Sequence, residues 1–304
     1  MKQEYQNCRL CPRLCGADRT AGFGRCGGGA VARVAAASLH QWEEPCLSGK
    51  NGAGAVFFSG CPLGCLFCQN REISLDRKGA ELSEDRLAEV FRRLEDAGAE
   101  TLDLVTPTHY APSVFAALAL AQPKIPVVWN TGGYELAERI PELCRHIDVY
   151  LPDIKYYDSA LAEAMCHAPD YFGRALSSLV SAVERIGSCE FDKRGILRRG
   201  VILRHLVLPG HRADSMALLA AVRREVDIAK LRLSLMSQYT PFFSELLPKE
   251  LRRRVTGFEY GSVLRCAEEL GYTGWSQDRH SASAEYLPAF DLTVLGEPLV
   301  KGSL

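Results

Sequence analysis

From Gly54 onward the chain repeats one kind of unit six times: a short apolar run, then a stretch with helical periodicity. The runs are GAVFFS (Gly54–Ser59), TLDLVT (Thr101–Thr106), IPVVW (Ile125–Trp129), IDVYL (Ile147–Leu151), VILRHLVL (Val201–Leu208) and LRLSLM (Leu231–Met236). In SEDRLAEVFRRLEDAG, Leu87, Val90, Phe91 and Leu94 recur at helical spacing, with Ser83 to cap the start and Gly98 the end. Further helices are expected over Ser113–Ala121, Tyr134–Cys144, Ser159–Met165, Arg174–Ile186, Asp214–Val226 and Lys249–Leu270. Serial strand–helix units argue for an α/β fold with a parallel sheet. Strands this rich in Val, Ile and Leu suit burial on both faces. Right-handed crossovers would curl six units into a partial (βα)6, TIM-like barrel.

A chain of 304 residues with 47% hydrophobic content can bury one such core. Residues 1–50 read as a cysteine-rich, loop-rich N-terminal extension. Residues 51–304 read as the barrel core with a C-terminal helical region.

Each expected strand ends in polar or Gly/Pro residues. The clusters are CPLGCLFCQN, PTHY, NTGGYE, PDIKYYD, PGH and SQYTP, in chain order. Parallel α/β folds gather strand C-terminal ends on one face, where active sites are built. A polar cavity is therefore expected at that face, with the first cluster among its walls.

That first cluster carries Cys61, Cys65 and Cys68, spaced C-x3-C-x2-C. Thiolates suit zinc or iron–sulfur clusters. A structural zinc site needs four ligands, so here a fourth would have to come from a distance. A [4Fe–4S] cluster held by only three cysteines keeps one iron free. Cys8, Cys11, Cys15 and Cys26 supply four more thiols, a complete set for structural zinc or an auxiliary iron–sulfur cluster. Cys144, Cys166, Cys189 and Cys266 are isolated and read as small buried apolar residues. Cys46 has no evident partner. GFGRCG at Gly22–Gly27 matches G-x-G-x-x-G, but no strand precedes it and a cysteine interrupts it, so a dinucleotide site is rejected.

The formal net charge is −1, with Lys and Arg scattered, which speaks against nucleic acid or a membrane surface as partner. No apolar stretch near the start resembles a signal peptide, and none in the chain is long enough to span a bilayer. A cytoplasmic location is expected, where the twelve cysteines favour metal binding over disulfides.

The C-x3-C-x-aromatic-C arrangement after the first strand resembles the signature of the radical S-adenosylmethionine (radical SAM) superfamily. CRLCPRLCG, LHQWEEP, FFSGCPLGCLFCQN, LVTPTHY, NTGGYE, LPDIKYYD, RHLVLPG and LMSQY together resemble the group related to pyruvate formate-lyase-activating enzyme. The resemblance implies a [4Fe–4S] cluster on Cys61, Cys65 and Cys68, with SAM chelating the free iron. One electron would cleave SAM to methionine and a 5′-deoxyadenosyl radical, which abstracts hydrogen from a substrate. By that resemblance the substrate is a glycyl-radical enzyme undergoing activation, and the reductant is a flavodoxin or ferredoxin. Radical modification of a small molecule or peptide is an alternative. An iron–sulfur electron-transfer or sensor protein is another, though it would need no polar cavity.

Further roles follow from the resemblance. Thr106, Thr108 and His109 stand where many members carry a Gly-Gly-Glu-type motif for the SAM amino group. That motif is absent here, so their polar groups are candidates to replace it, against a purely structural role for His109. Asn130 is a candidate for the SAM ribose or carboxylate, against a role in turn formation. Asp153 and Lys155 would share one face of an extended segment, and resemble the Asp-x-Lys of activating enzymes near SAM. Arg204 is taken as a SAM contact, with His205 pointing the other way. Gln238, beside Tyr239, would line the adenine side.

Overall fold

The structure, a computed structural model, describes residues 2–242, 244–277 and 290–299. Strand β1 (Ala32–His40) pairs antiparallel with β2 (Ala53–Phe58). From β2 onward the sheet is parallel and its strands lie in chain order: β3 (Leu102–Val105), β4 (Val127–Thr131), β5 (Val149–Pro152), β6 (Leu197–Leu206), β7 (Leu231–Met236) and β8 (Gly274–Ser276). Two short strands add to the other edge of β1: Ala80–Leu82, antiparallel along Ala32–Val34, and Thr293–Val294, in parallel at Ala37. Among the described residues no hydrogen bonds join the two ends of the sheet, so the barrel is partial.

Strand periodicity sorts the side chains into two faces. Val56, Phe58, Leu102, Leu104, Val127, Trp129 and Tyr150 join the large core under the helices. Their neighbours Ala55, Phe57, Val105, Val128 and Leu151 belong to separate clusters on the other face. That second face is the interior.

The helices that cover the outer face are α1 (Glu84–Asp96), α2 (Ala111–Ala121), α3 (Ser159–Cys166), α4 (Tyr171–Ile186), α5 (Arg212–Glu225) and α6 (Gly257–Glu269). In α1 the Ser83 hydroxyl accepts from the Arg86 amide at 3.3 Å, and Leu87, Val90, Phe91 and Leu94 are buried. At about 1.5–3 kcal/mol per side chain, these four contribute on the order of 6–12 kcal/mol as an upper estimate.

Four elements differ from the sequence expectation. Residues 32–40 form a nine-residue strand inside the segment expected to be loop-rich. The helix expected over Tyr134–Cys144 shrinks to a 3-10 turn at Ala137–Arg139 and one α-turn at Ile140–Leu143. Pro141 is tolerated only in the first turn, so no longer helix can run through it. The last long helix begins at Gly257, not Lys249, because Thr256 and Glu259 form a reciprocal capping box there. Finally, the region after α6 is not only helical: it supplies β8 and Thr293–Val294. No helix among the described residues is long and apolar enough to cross a membrane.

Candidate active site

A cavity of about 390 Å³ opens inside the sheet at the strand C-terminal ends. Cys61, Cys65, Cys68, Thr106, Asn130, Asp153, Lys155, Arg204 and Gln238 all line it. Residues from five separate strand ends and the cysteine loop thus meet in one place.

The cysteine loop owes its path to two glycines. Gly60 and Gly64 adopt φ of +85° and +63°, which costs glycine little and other residues more. A Cβ on Gly60 would lie 2.6 Å from the Cys26 carbonyl oxygen. That carbonyl accepts the Cys61 amide at 3.1 Å, and the Cys68 amide donates to the Cys65 carbonyl at 3.1 Å. Phe67 packs edge-on against Tyr156 and Tyr239, with centroids 6.2 and 5.6 Å away, and the three rings form an apolar wall beside the loop.

The cysteines differ in acidity. Burial pushes the Cys61 thiol up to about 12, and burial also raises Cys68. Cys65 is brought down to about 6, chiefly by a hydrogen bond from Cys166 and then by the Lys155 charge. Cys166, expected to be a bland apolar residue, is buried directly behind the loop.

Across the cavity stands an ionic network centred on Arg204. Its Nε donates to Asp153 Oδ1 at 2.7 Å, its Nη1 to Glu43 Oε2 at 3.1 Å and its Nη2 to Asn130 Oδ1 at 2.5 Å. Lys155 Nζ holds the other Asp153 oxygen at 2.5 Å. Burial alone would raise the Asp153 carboxyl, but Arg204 and then Lys155 outweigh it and hold the group below its usual range. Burial works against Lys155 too, and Asp153 overcomes it, so the ammonium is retained. The two strands β5 and β6 share only two register pairs in their ladder. They rejoin further along at a bridge between Asp153 and Arg204, where the Ile154 amide donates to the Arg204 carbonyl at 2.9 Å. The ion pair and the backbone therefore close the same seam. His205 points away from the cavity, and its Nδ1 lies 2.6 Å from the Ile154 carbonyl.

Thr106 lines the cavity with φ of +61°, unusual for a β-branched residue. Its amide donates to the Asn130 carbonyl at 2.7 Å. Thr108 and His109 lie elsewhere. The Thr108 hydroxyl donates to the buried Glu135 carboxylate, which also receives Thr131 Oγ1 and Trp129 Nε1. His109 is buried, with Nε2 2.9 Å from the Ser59 carbonyl. Burial, then the Arg19 charge, holds this imidazole down at about 3, so it is neutral and donates that bond.

Sequence reasoning missed three carboxylates. Glu43 and Glu44 line the cavity, and Asp103 sits beneath Asn130, whose amide donates to it at 3.2 Å. Burial raises both the Glu44 and the Asp103 carboxyls, and one oxygen of each is buried without a partner. The adjacent acids in WEEP, directly before the first barrel strand, were the available signal for Glu43 and Glu44. Asp103 within the otherwise apolar LDLV was the signal for the third.

Residues 55–216 match the family model described as the radical SAM superfamily. An uncharacterized protein of Methanocaldococcus jannaschii is 26% identical over 283 residues, covering 88% of this chain and 76% of its own length. A radical SAM methyltransferase structure from Sphaerobacter thermophilus superposes with a TM-score of 0.52 at 16% identity, over 74% of this chain and 66% of that one. The chain thus spans slightly less than two thirds of that methyltransferase. The SAM-bound structure of SuiB from Streptococcus suis gives a TM-score of 0.46 at 14% identity, over 74% of this chain and 47% of that one.

Proposed function

The chain belongs to the radical SAM superfamily, and on that premise we propose that it binds a [4Fe–4S] cluster at Cys61, Cys65 and Cys68 and uses SAM to abstract hydrogen from a substrate held in the cavity. The observation that carries this reading is the three-thiol loop opening onto the Arg204–Asp153–Lys155–Asn130 wall. The residues fit the group. All three cysteines line the cavity, and the close approach of Gly60 to Cys26 makes room for a bulky centre. Among the described residues no three His, Cys, Asp or Glu side chains gather at a point that could hold a single metal ion. A cluster asks for less convergence, since each thiolate binds its own iron. Held by Cys61, Cys65 and Cys68, such a cluster would, once reduced, supply the one electron needed to cleave SAM to methionine and a 5′-deoxyadenosyl radical.

The protein's own residues bind and orient. Asp153 and Lys155 present a carboxylate and an ammonium, complementary to the amino and carboxylate ends of an amino-acid moiety. Asn130 and the Thr106 hydroxyl offer neutral hydrogen-bond partners, and Gln238 does so on the opposite wall. Phe67, with Tyr156 and Tyr239, keeps one side of the thiol loop apolar. The Asp153-x-Lys155 arrangement supports the activating-enzyme branch, with a glycyl-radical enzyme as protein substrate and a flavodoxin or ferredoxin as reductant. Such chemistry suits a reducing cytoplasm.

The test is anaerobic reconstitution, reduction with dithionite and addition of SAM. 5′-Deoxyadenosine is expected from the wild type and none from Cys65→Ala. A fully loaded cluster that yields no 5′-deoxyadenosine would sink the enzyme reading. The activating-enzyme branch predicts a glycyl radical signal by electron paramagnetic resonance on a co-purifying partner. Product formation on a small molecule, with no such signal, would refute that branch alone.

A further inference from the structure

The N-terminal segment places Cys8, Cys11, Cys15 and Cys26 in one turn-rich stretch that also holds a buried arginine, Arg19. Each of the four sulfurs faces an N–H donor. The Gly28 amide donates to Cys26 Sγ at 3.4 Å and Arg19 Nη1 to Cys8 Sγ at 3.5 Å. The Arg13 amide faces Cys11, and the Ala17 and Arg25 amides face Cys15. The chain reverses tightly between these residues, with left-handed backbone at Leu14, Gly16 and Gly27.

Arg19 makes the charge requirement explicit. It is 1% exposed, and its other bonds go to neutral carbonyls: Nε to Gly28 at 2.9 Å, Nη2 to Gly29 at 2.6 Å and Nη1 to His109 at 2.5 Å. Among the described residues no carboxylate pairs with it. A buried guanidinium without a counter-charge is costly, and Cys8 and Cys26 are the groups placed to provide one. The local apolar core, Tyr5, Cys8 and Leu10, is too small to hold such a segment by burial.

We propose that Cys8, Cys11, Cys15 and Cys26 hold a second thiolate-bound metal centre, an auxiliary iron–sulfur cluster or a zinc ion. The sulfurs are not gathered at one point, so a cluster binds them with less movement than zinc does.

The centre would brace the catalytic loop from two sides. The Cys26 carbonyl takes the Cys61 amide at 3.1 Å. Arg13, between Cys11 and Cys15, donates to the carbonyls of Pro62 at 2.8 Å, Leu63 at 3.4 Å and Cys166 at 2.5 Å. This bracing rests on the reading of Cys61, Cys65 and Cys68 as cluster ligands. The metal site itself does not.

The test is metal and sulfide analysis of the full chain purified anaerobically, as wild type and as the Cys61→Ala/Cys65→Ala/Cys68→Ala triple variant, with folding checked by circular dichroism. The triple variant should retain either about one zinc or iron with matching labile sulfide per chain. Iron with sulfide identifies a cluster and zinc identifies the ion, and either supports the site. Adding Cys8→Ala and Cys11→Ala should then remove that metal. If the triple variant does not fold, the wild type decides: metal beyond the roughly four irons of one cluster supports the site. A folded triple variant without metal, or a wild type with one cluster's iron and nothing more, overturns it. Loss of 5′-deoxyadenosine formation with the second metal intact would refute the proposed function and leave this site standing.

Discussion

Replacing Arg204 by Met should cost more than any other single change to the cavity wall. The guanidinium satisfies Asp153 Oδ1, Glu43 Oε2 and Asn130 Oδ1 together. Side-chain exposure is 14% for Arg204, 16% for Asp153 and 10% for Glu43, so water can compensate little. Removing one partner of a buried pair costs about 3–5 kcal/mol, because the other charge is left stranded. Two carboxylates are stranded here, but Asp153 keeps Lys155, so the middle of that range, about 4 kcal/mol, is expected. With a urea m value near 3 kcal/mol/M, the midpoint should fall by about 1.3 M. The assay is anaerobic urea unfolding of the metal-free protein, followed by both circular dichroism and tryptophan fluorescence so that coincidence of the transitions is checked. Arg204→Lys keeps a charge but loses the three-way fork, and should fall between wild type and Met. Adding Glu43→Gln to Arg204→Met should recover part of the loss, because the carboxylate that loses its ion pair is then gone. A loss below about 1 kcal/mol for Arg204→Met would refute the claim that this network is desolvated and mutually dependent.

Gly60→Ala should leave the barrel folded but reduce iron loading, since the new Cβ meets the Cys26 carbonyl at 2.6 Å with φ at +85°; full loading on iron assay would refute the tight approach. The metal-free protein should lose stability as pH rises above about 4, because Glu44 and Asp103 keep protons in the folded state that the unfolded chain has released. Asp103→Asn should flatten that slope in unfolding measured across pH, and an unchanged slope would assign the effect elsewhere. Thr256→Ala removes the side-chain half of a capping box, while the backbone amide at that position still donates to Glu259, and should cost about 1 kcal/mol, read as a small drop in the thermal midpoint.

The barrel was legible because its signals are local and repeated. A Val-, Ile- or Leu-rich run followed by a periodic stretch marks each unit, and five of the six expected strands start within two residues of their observed positions. VILRHLVL is the exception, since its strand starts earlier, at Leu197. The alternation that places Asp153 and Lys155 together also held, because an extended segment leaves side chains little choice. Strand β1 was harder to see. ARVAAASLH has weak strand propensity, and it is a strand because β2 on one side and Thr293–Val294 on the other supply hydrogen bonds. Glu43, Glu44 and Asp103 were missed because a sequence shows that carboxylates exist, not that folding will desolvate them. Thr108 and His109 sit next to Thr106 in sequence, yet the left-handed backbone at Thr106 and the 3-10 turn at Thr108–Tyr110 turn them out of the cavity.

The strand order has a consequence for how the molecule is made. From β2 to β8 the strands of the parallel sheet lie side by side in chain order, so neighbouring units can condense as they emerge. The join between β1 and Thr293–Val294 is different. Ala37 and Val294 are register partners, although nearly the whole chain separates them. During synthesis from the N-terminus, Ala80–Leu82 covers the Ala32–Val34 end of that edge early, but the stretch around Ala37 has no strand partner there until residue 294 has appeared. An open strand edge invites pairing with other chains, so the nascent protein carries this exposure for most of its synthesis. The pairing of Val294 with Ala37 is what ends it.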